Sequence, residues 1–350
     1  MATLPPQAEV PGPVAAGTTP LFSVVIPSRG GARIEATLDA LARQSFPAER
    51  FETIVVLDGA GLPEPLTGRL RGRGVRIERL AARAGPGAAR NRGAALARGA
   101  ILAFTEDDCE PDRDWLLRAA WRFEHQPEIE ALDGQTEKPG GRPLRVQPGH
   151  GPLYLPTNLF VRRPLFERVG GYHEGYFEPR GGIYFREDSD FGFALEAAGA
   201  HIESAPEVRV IHPDEHPRFL DPLRWARRYE MDALLRERHP RRYRERIEVH
   251  RLGPLRVRRP IVGASVAVVA GAVLVPLLAA LGYGTAARVG LAAIGLLLLS
   301  IWAKWRFDPR KLPLVPLVPF VLVASSLRGR ARARRWRVST RSRPGTPAPR

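Results

Sequence analysis

The stretch Ile101–Leu116, "ILAFTEDDCEPDRDWL", decides how this chain is read. An apolar run, Ile101-Leu102-Ala103-Phe104, is followed at once by Glu106, Asp107 and Asp108. The run reads as a buried strand, with the acids at its carboxyl end. Neighbouring carboxylates repel and raise one another's pKa, so something must offset that cost. The chain as a whole is basic, with 53 Lys and Arg against 37 Asp and Glu and a formal charge of +16. A tight anionic cluster in such a chain points to a bound divalent cation. On local charge alone, the competing reading is a solvated acidic turn ahead of a helix near Asp112–Trp115.

Upstream, "FSVVIPSRGG" gives a β-branched strand, Phe22 to Ile26, ending at Pro27. "ARIEATLDALARQSF" places Ile34, Leu38 and Leu41 at helical spacing, so one helix face packs on a sheet. "FETIVVLDGAG" is a second strand (Thr53 to Leu57) stopping at Asp58-Gly59, and "GVRIERL" reads as a third. "GPGAARNRGAALARGA" then supplies a turn and a helix leading into the strand at Ile101. It lacks the third glycine of a dinucleotide fingerprint and is not the first strand-to-helix turn. Strands alternating with helices predict an α/β fold with a doubly wound, mostly parallel sheet, in which ligands collect at the carboxyl ends of the strands. Ser28, Arg29, Asp58 and Glu106 to Asp108 all fall there.

Beyond Asp133 the pattern loosens. "EKPGGRPLRVQPGHGP" is a turn-rich loop, and "LYLPTNLFVRRPLFERVGGY" starts as a strand and ends as a short helix. "REDSDFGFALEAAG" puts charges just ahead of a helix, where acids are favoured by the helix dipole in any case. Cys109, the one cysteine, excludes an intramolecular disulfide framework, fits a reducing compartment and reads as a small buried filler. Residues 1–20 lack a basic and apolar leader and read as a disordered lead-in.

Arginine concentrates in two clusters, Arg236–Arg259 and Arg328–Arg343, with the most apolar segments between them. That arrangement favours anionic membrane lipids over nucleic acid as the partner. Residues 261–281 carry no charge and have spanning length, and residues from about 286 to 303 continue the apolar character with Arg288 near the edge. Residues 312–327 carry Pro313, Pro316 and Pro319, which argue for a re-entrant or in-plane segment rather than a third straight span. Two spans place every arginine-rich flank in the cytoplasm. The expected plan is therefore a lead-in (1–20), an α/β domain (21–220), a basic amphipathic helical connector (221–259), membrane segments (260–327) and a basic cytoplasmic tail (328–350). A buried soluble helical hairpin is the alternative for the membrane segments, and an ordinary solvated helix for "RWARRYEMDALLRERHP".

Taken together, "SVVIPSRGG", "IVVLDGAG", "GPGAARNRGAALARGAILAFTEDDCEPDRDWL", "TNLFVRRPLFERVGGYHE" and "FREDSDFGFAL" resemble the family-two glycosyltransferases of the membrane-anchored bacterial type, over Leu21 to His212. The resemblance implies the GT-A fold, an inverting sugar transfer, a nucleoside-diphosphate sugar donor and Mg²⁺ or Mn²⁺. Carried over by position, Pro27, Ser28, Arg29, Asp58, Arg90 and Asp107 attend the donor nucleotide. Since the counterpart of Asp58 usually contacts uracil, a UDP-sugar is the expected donor. Glu106 and Asp108 match the metal-holding acids, with His212 as a further ligand or a structural histidine. Asp188 matches the catalytic base, with Glu187 supporting it. Two departures stand out: Glu106 where the family often has Asp, and Leu57-Asp58 where it often has an Asp pair. The implied activity is transfer to a hydroxyl of a lipid-linked or polysaccharide acceptor at the cytoplasmic face of the inner membrane. The rivals are a nucleotidyltransferase on a related fold, for which "IPSRGG" is a poor phosphate loop, and a non-catalytic membrane scaffold.

Overall fold

A computed structural model describes residues 19–31, 33–59, 61–144, 154–214, 218–252 and 255–341. Most of the expected lead-in, the end of the loop after Pro143 and the last residues of the basic tail lie outside the described residues. The chain divides into two compact units, one formed by residues 1–146 and 152–215, the other by residues 147–151 and 216–350.

The first unit is built on a sheet ordered β3-β2-β1-β4-β8-β6-β11-β5, with β7 paired to β6. Its leading half is the expected doubly wound one. β1 (Phe22–Ser28) lies parallel to β2 (Phe51–Leu57) and to β4 (Ile101–Phe104), and β2 lies parallel to β3 (Arg76–Arg79). β8 (Leu159–Arg162) then enters antiparallel between β4 and β6 (Ala131–Lys138). β11 (Ile202–Ile211) returns parallel to β6, while β5 (Glu110–Pro111) pairs antiparallel with β11 and β7 (Arg142–Pro143) with β6. The sheet is thus mixed and mostly parallel in its first half.

The period-2 alternation of the strands splits the core between the two faces. Val24 and Ile26 face α1 (Ile34–Ala42) and α4 (Trp115–His125), together with Trp115, Leu116 and Phe160. Val25, Ile54 and Phe104 face the other way, toward α3 (Pro86–Leu96), Phe166, Tyr172 and Phe191. Each fully buried side chain of this size stabilises the fold by about 1.5–3 kcal/mol. Gly93 is needed where α3 crosses β1, because a Cβ there would run into Val25. Gly85 turns the chain into α3 with φ +91°, a conformation that favours glycine. The layers complete with α2 (Glu64–Gly72), α5 (Arg163–Val169), closed by a left-handed Gly170, a short hairpin of β9 (Phe177–Glu178) and β10 (Ile183–Tyr184), and α6 (Glu187–Ala197).

In the second unit, the segment expected as one amphipathic helix folds as α7 (Asp221–Arg227), a single 3₁₀ turn and α8 (Asp232–Arg238). The one-turn α9 (Pro240–Arg242) and a π-helical turn over Tyr243–Glu248 follow. A hairpin of β12 (Val249–Leu252) and β13 (Leu255–Arg258), absent from the sequence expectation, leads into α10. Three helical segments are long and apolar enough to cross a membrane: Pro260–Ala280, Gly284–Ala303 and Pro309–Trp336. The first two are α10 (Pro260–Ala280) and α11 (Gly284–Ala303), whose outward residues are apolar, as at Val273, Val289 and Leu296.

In the third, a 3₁₀ helix (Pro309–Leu317) absorbs Pro313 and Pro316, and Pro319 falls in the first turn of α12 (Val318–Arg341). A missing N–H costs nothing in that turn. α12 therefore continues well past residue 327, into what the sequence suggested was a tail. Val318 and Leu322 pack in one cluster with Ala226, Ile301 and the partly buried Ile261 and Val262. Further along, Ser326 and Ala333 line a cavity shared with Val262 and Gly263. The first half of α12 thus packs in one cluster with the start of α10, and the second half lines a cavity with it.

Candidate active site

The carboxyl ends of β1, β2 and β4 form one rim, where Pro27, Ser28, Arg29, Asp58, Glu106, Asp107, Asp108 and His212 line a cleft of about 170 Å³. The parallel register brings them together, since Ser28 stands opposite Leu57 and Val25 opposite Phe104. Arg83, Pro86 and Tyr184 also line the cleft, and none of them was picked out from the sequence. Arg83 packs over the Phe177 ring at 5.4 Å and donates to the Gly182 carbonyl at 3.5 Å, so it ties the β9–β10 hairpin to the rim. The sequence signal available was its place just ahead of the Gly85-Pro86 turn.

The three acids of the opening stretch have different partners. Asp107 Oδ2 accepts from the Ser28 hydroxyl at 2.6 Å and from the Arg29 backbone N–H at 3.3 Å. The same hydroxyl oxygen accepts from the Gly30 N–H at 3.0 Å, so Asp107 holds the turn after β1. Its carboxyl is pushed up chiefly by burial, with the Ser28 bond pulling the other way. Glu106 accepts from Arg90 Nη2 at 3.0 Å, and its other oxygen lies 3.8 Å from His212 Nε2. Burial raises its pKa, and Arg90 works against that rise. Asp108 has Arg33 at 3.9 Å.

Glu106, Asp108, Cys109 and His212 can each offer a ligand atom, all within 4.8 Å of one another. The Cys109 thiol is fully buried, and burial pushes its pKa well up, so it stays protonated and is a poor ligand. What remains, two carboxylates and an imidazole, suits a hard divalent ion such as Mg²⁺ or Mn²⁺. Such an ion would offset the crowding of Glu106 beside Asp108.

Asp58 is 5% exposed, and its carboxylate accepts from the Ala84 N–H at 2.6 Å and the Gly85 N–H at 3.1 Å. It therefore fixes the entry to α3 as well as facing the cleft.

Arg90, Glu187 and Asp188 form a second group outside the lining of that cleft. Arg90 is 1% exposed and lies over the Tyr172 ring at 5.2 Å. Its Nε and Nη1 have no hydrogen-bond partner, and neither does Glu187 Oε2. The guanidinium keeps its charge: burial opposes it, but Tyr172, Glu106, Glu187 and Asp188 favour it. One buried cation thus stands between the metal-type cluster and the acidic pair that opens α6. Glu187 is pushed up to about 8, first by burial and then by Asp188, with Arg90 pulling the other way. Asp188 is raised as well, by burial, against a 2.6 Å bond from the Ser189 N–H to Oδ1. The residue before the pair, Arg186, is buried with φ +77°, an unusual conformation for a non-glycine residue.

The family model described as "Glycosyl transferase family 2" matches residues 23–191. Glycosyltransferase AglE of Haloferax volcanii is 36% identical over 200 residues, covering 52% of this chain and 65% of that protein. An uncharacterized protein of Sinorhizobium fredii, y4gI, is 27% identical over 256 residues, covering 62% of this chain and 27% of its own length. The chain thus spans less than two thirds of either curated relative. Among solved structures, the mannosyltransferase PcManGT from Pyrobaculum calidifontis, in complex with GDP-Man and Mn²⁺, has a TM-score of 0.51 at 16% identity. The match covers 89% of this chain and 88% of that one, a likeness of fold.

Proposed function

We propose that this chain, whose residues 23–191 match the model described as "Glycosyl transferase family 2", transfers a sugar, with inversion, from a nucleoside-diphosphate sugar to a hydroxyl of a lipid-linked or polysaccharide acceptor at the cytoplasmic face of a membrane. The observation that carries the reading is the convergence of Glu106, Asp108 and His212 ligand atoms within 4.8 Å on the rim of a cleft lined by Ser28, Arg29 and Asp58. The nucleotide lies along Pro27 to Arg29 and Asp58, with Asp107 keeping the first turn in place. A divalent cation held by Glu106, Asp108 and His212 would neutralise charge developing on the departing diphosphate. The Pyrobaculum mannosyltransferase binds a donor of this class together with Mn²⁺.

Asp188 takes the proton of the acceptor hydroxyl. The hydroxyl oxygen then bonds to the anomeric carbon as the bond from that carbon to the diphosphate oxygen breaks. Asp188 Oδ1 is engaged by the Ser189 N–H and hydroxyl, at 2.6 and 3.3 Å, which leaves Oδ2 for the proton. A positioned base of this kind contributes about 10²–10⁴-fold. Glu187 holds a proton of its own near neutrality, so it limits repulsion beside Asp188 and does not compete as base.

The membrane reading is supported by the exposed apolar sides of α10 and α11. An in-plane course for α12 is supported by Val318 and Leu322 sharing a cluster with Ile261 and Val262 while Ala333 lines the same cavity as Val262 and Gly263. Ala333 follows Val318 by fifteen residues, about 22 Å of helix at 1.5 Å per residue. An upright α12 would separate those residues by about 22 Å along the membrane normal, most of the roughly 30 Å hydrocarbon thickness. The in-plane course keeps the connector and the arginines of α12 on one side.

A melting-temperature panel of nucleoside diphosphates on EDTA-stripped protein, with and without Mn²⁺, tests the reading. Stabilisation that needs both nucleotide and metal, and that Asp108→Ala removes, is expected. Nucleotide stabilisation of equal size without metal refutes it.

A further inference from the structure

A cavity of about 780 Å³ lies within the second unit. One face of α8, with Asp232 and Arg236, forms one wall. One face of α12, with Ser326, Arg330, Ala333 and Arg334, forms another, and the start of α10 closes it at Val262 and Gly263. α12 approaches this closely because it carries Gly329, where a Cβ would collide with the Glu230 carbonyl.

Five arginines line the space: Arg236, Arg244, Arg259, Arg330 and Arg334. Arg259 is neutralised inside the protein, 2.7 Å from Asp232 and stacked over the rings of Tyr229 and Tyr243 at 5.0 and 5.4 Å. The other four have no hydrogen-bond or ion-pair partner among the described residues. Glu237 and Glu248 also line the cavity and leave it net positive. All four are solvent-exposed, so water screens their mutual repulsion, and an anion seated between them would be favoured further. Their forked donors match the oxygens of a phosphate. The positive end of the α10 dipole points into the same space.

The position selects the source of that phosphate. The cavity sits at the mouth of a 21-residue apolar helix, the level at which lipid headgroups lie if that helix spans. We propose that this cavity binds the phosphate headgroup of an anionic membrane lipid, with Arg236 and Arg244 on one wall and Arg330 and Arg334 on the other. The proposal rests on the membrane reading above and is independent of the sugar-transfer site.

The test uses the full chain. Retention in membranes through a carbonate wash is measured first. Release by the wash overturns the membrane reading and this proposal together, while nucleotide and Mn²⁺ binding reads the transfer site separately. Binding of phosphatidylglycerol to detergent-solubilised protein is then followed by native mass spectrometry for Arg330→Gln/Arg334→Gln, for Arg236→Gln/Arg244→Gln, and for a control, Arg241→Gln/Arg335→Gln. The control removes two exposed arginines outside the cavity. Each cavity double variant is expected to weaken lipid binding by roughly tenfold or more, and the control by less than about twofold. Melting temperature and nucleotide binding stay unchanged in whichever cavity variant is scored. Equal losses in cavity and control variants would mean diffuse basic attraction and overturn the proposal. So would phosphatidylcholine binding as tightly, or free glycerol phosphate competing as well as the lipid.

Discussion

Replacing Arg90 by Met tests whether one buried cation stabilises the site. Arg90 is 1% exposed and sits 3.0 Å from Glu106, whose side chain is 30% exposed. Removing one partner of a fully buried pair costs about 3–5 kcal/mol, and water reaching Glu106 brings the expected loss to the lower end, about 3 kcal/mol. That is a large share of a typical domain stability of about 5–15 kcal/mol. Native-state hydrogen exchange of peptides covering β1 and β4 reads it as a loss of protection of about a hundredfold, since about 1.4 kcal/mol is tenfold.

A double-mutant cycle with Glu106→Gln isolates the pair, and a coupling of about 1.5–3 kcal/mol is expected. The pH dependence has a definite sign. Without Arg90 the Glu106 carboxyl rises further above its ordinary 4.5. The penalty then appears as pH climbs above 4.5 and fades in acid, where folded and unfolded states are both protonated. Coupling below about 0.5 kcal/mol, or an equal loss in acid and at neutrality, refutes the argument that charge pairing is what Arg90 contributes.

Two further predictions concern the acidic pair. Asp188→Asn, which keeps the shape but cannot take a proton, lowers kcat of sugar transfer by about 10²–10⁴-fold with donor binding intact; unchanged transfer discards the base assignment. Glu187→Gln leaves the acidic limb of the kcat–pH profile in place, because Glu187, held up to about 8, is already neutral where Asp188 titrates; a limb that moves by a full pH unit refutes that assignment. Wild-type Glu187 is held up near 8, so its ionisation costs stability as pH rises from 4.5 to 8. The Gln variant loses that decline, which melting curves at pH 6 and pH 9 would show.

The first unit was legible because its signals are local and repeat. Apolar runs stopping at Ser28, Asp58 and Glu106 give strand, direction and rim at once, and parallel register then brings the rim residues together. What local signals could not give was the division of labour. Asp58 reads as a ligand contact, yet its carboxylate also caps the Ala84–Gly85 turn. Arg90 reads as a phosphate contact, yet its pairing with Glu106 and its closeness to Glu187 and Asp188 come from the crossing of α3 over the sheet. Arg83 and Tyr184 come to the cleft through the β9–β10 hairpin, whose short strands leave almost no periodicity to read. The antiparallel β8 between β4 and β6 has the same apolar run as a parallel strand and differs only in its neighbours.

The second unit shows the opposite limit, where composition misleads. Arginines after Leu327 read as a basic cytoplasmic tail, and no helix was expected there. They are instead part of α12, where Arg328 and Arg332 reach Glu230 at 3.5 and 3.6 Å. Small residues decide this: Gly329 and Ala333 are buried, so the helix can lie flat against its neighbours with its long side chains turned outward or into the cavity. The prolines at 313 and 316 argued against a straight helix, and the chain obeys them by using a 3₁₀ segment before α12 begins. A helix that starts after its prolines and ends among arginines is amphipathic along its length rather than around it. Together with the 3₁₀ segment it is long and apolar enough to cross a membrane, yet its last turns are rich in arginine, which is costly to place in the hydrocarbon. The in-plane course proposed above would keep the apolar half against lipid and the basic half in water, and it is for that reason that we propose two spans rather than three.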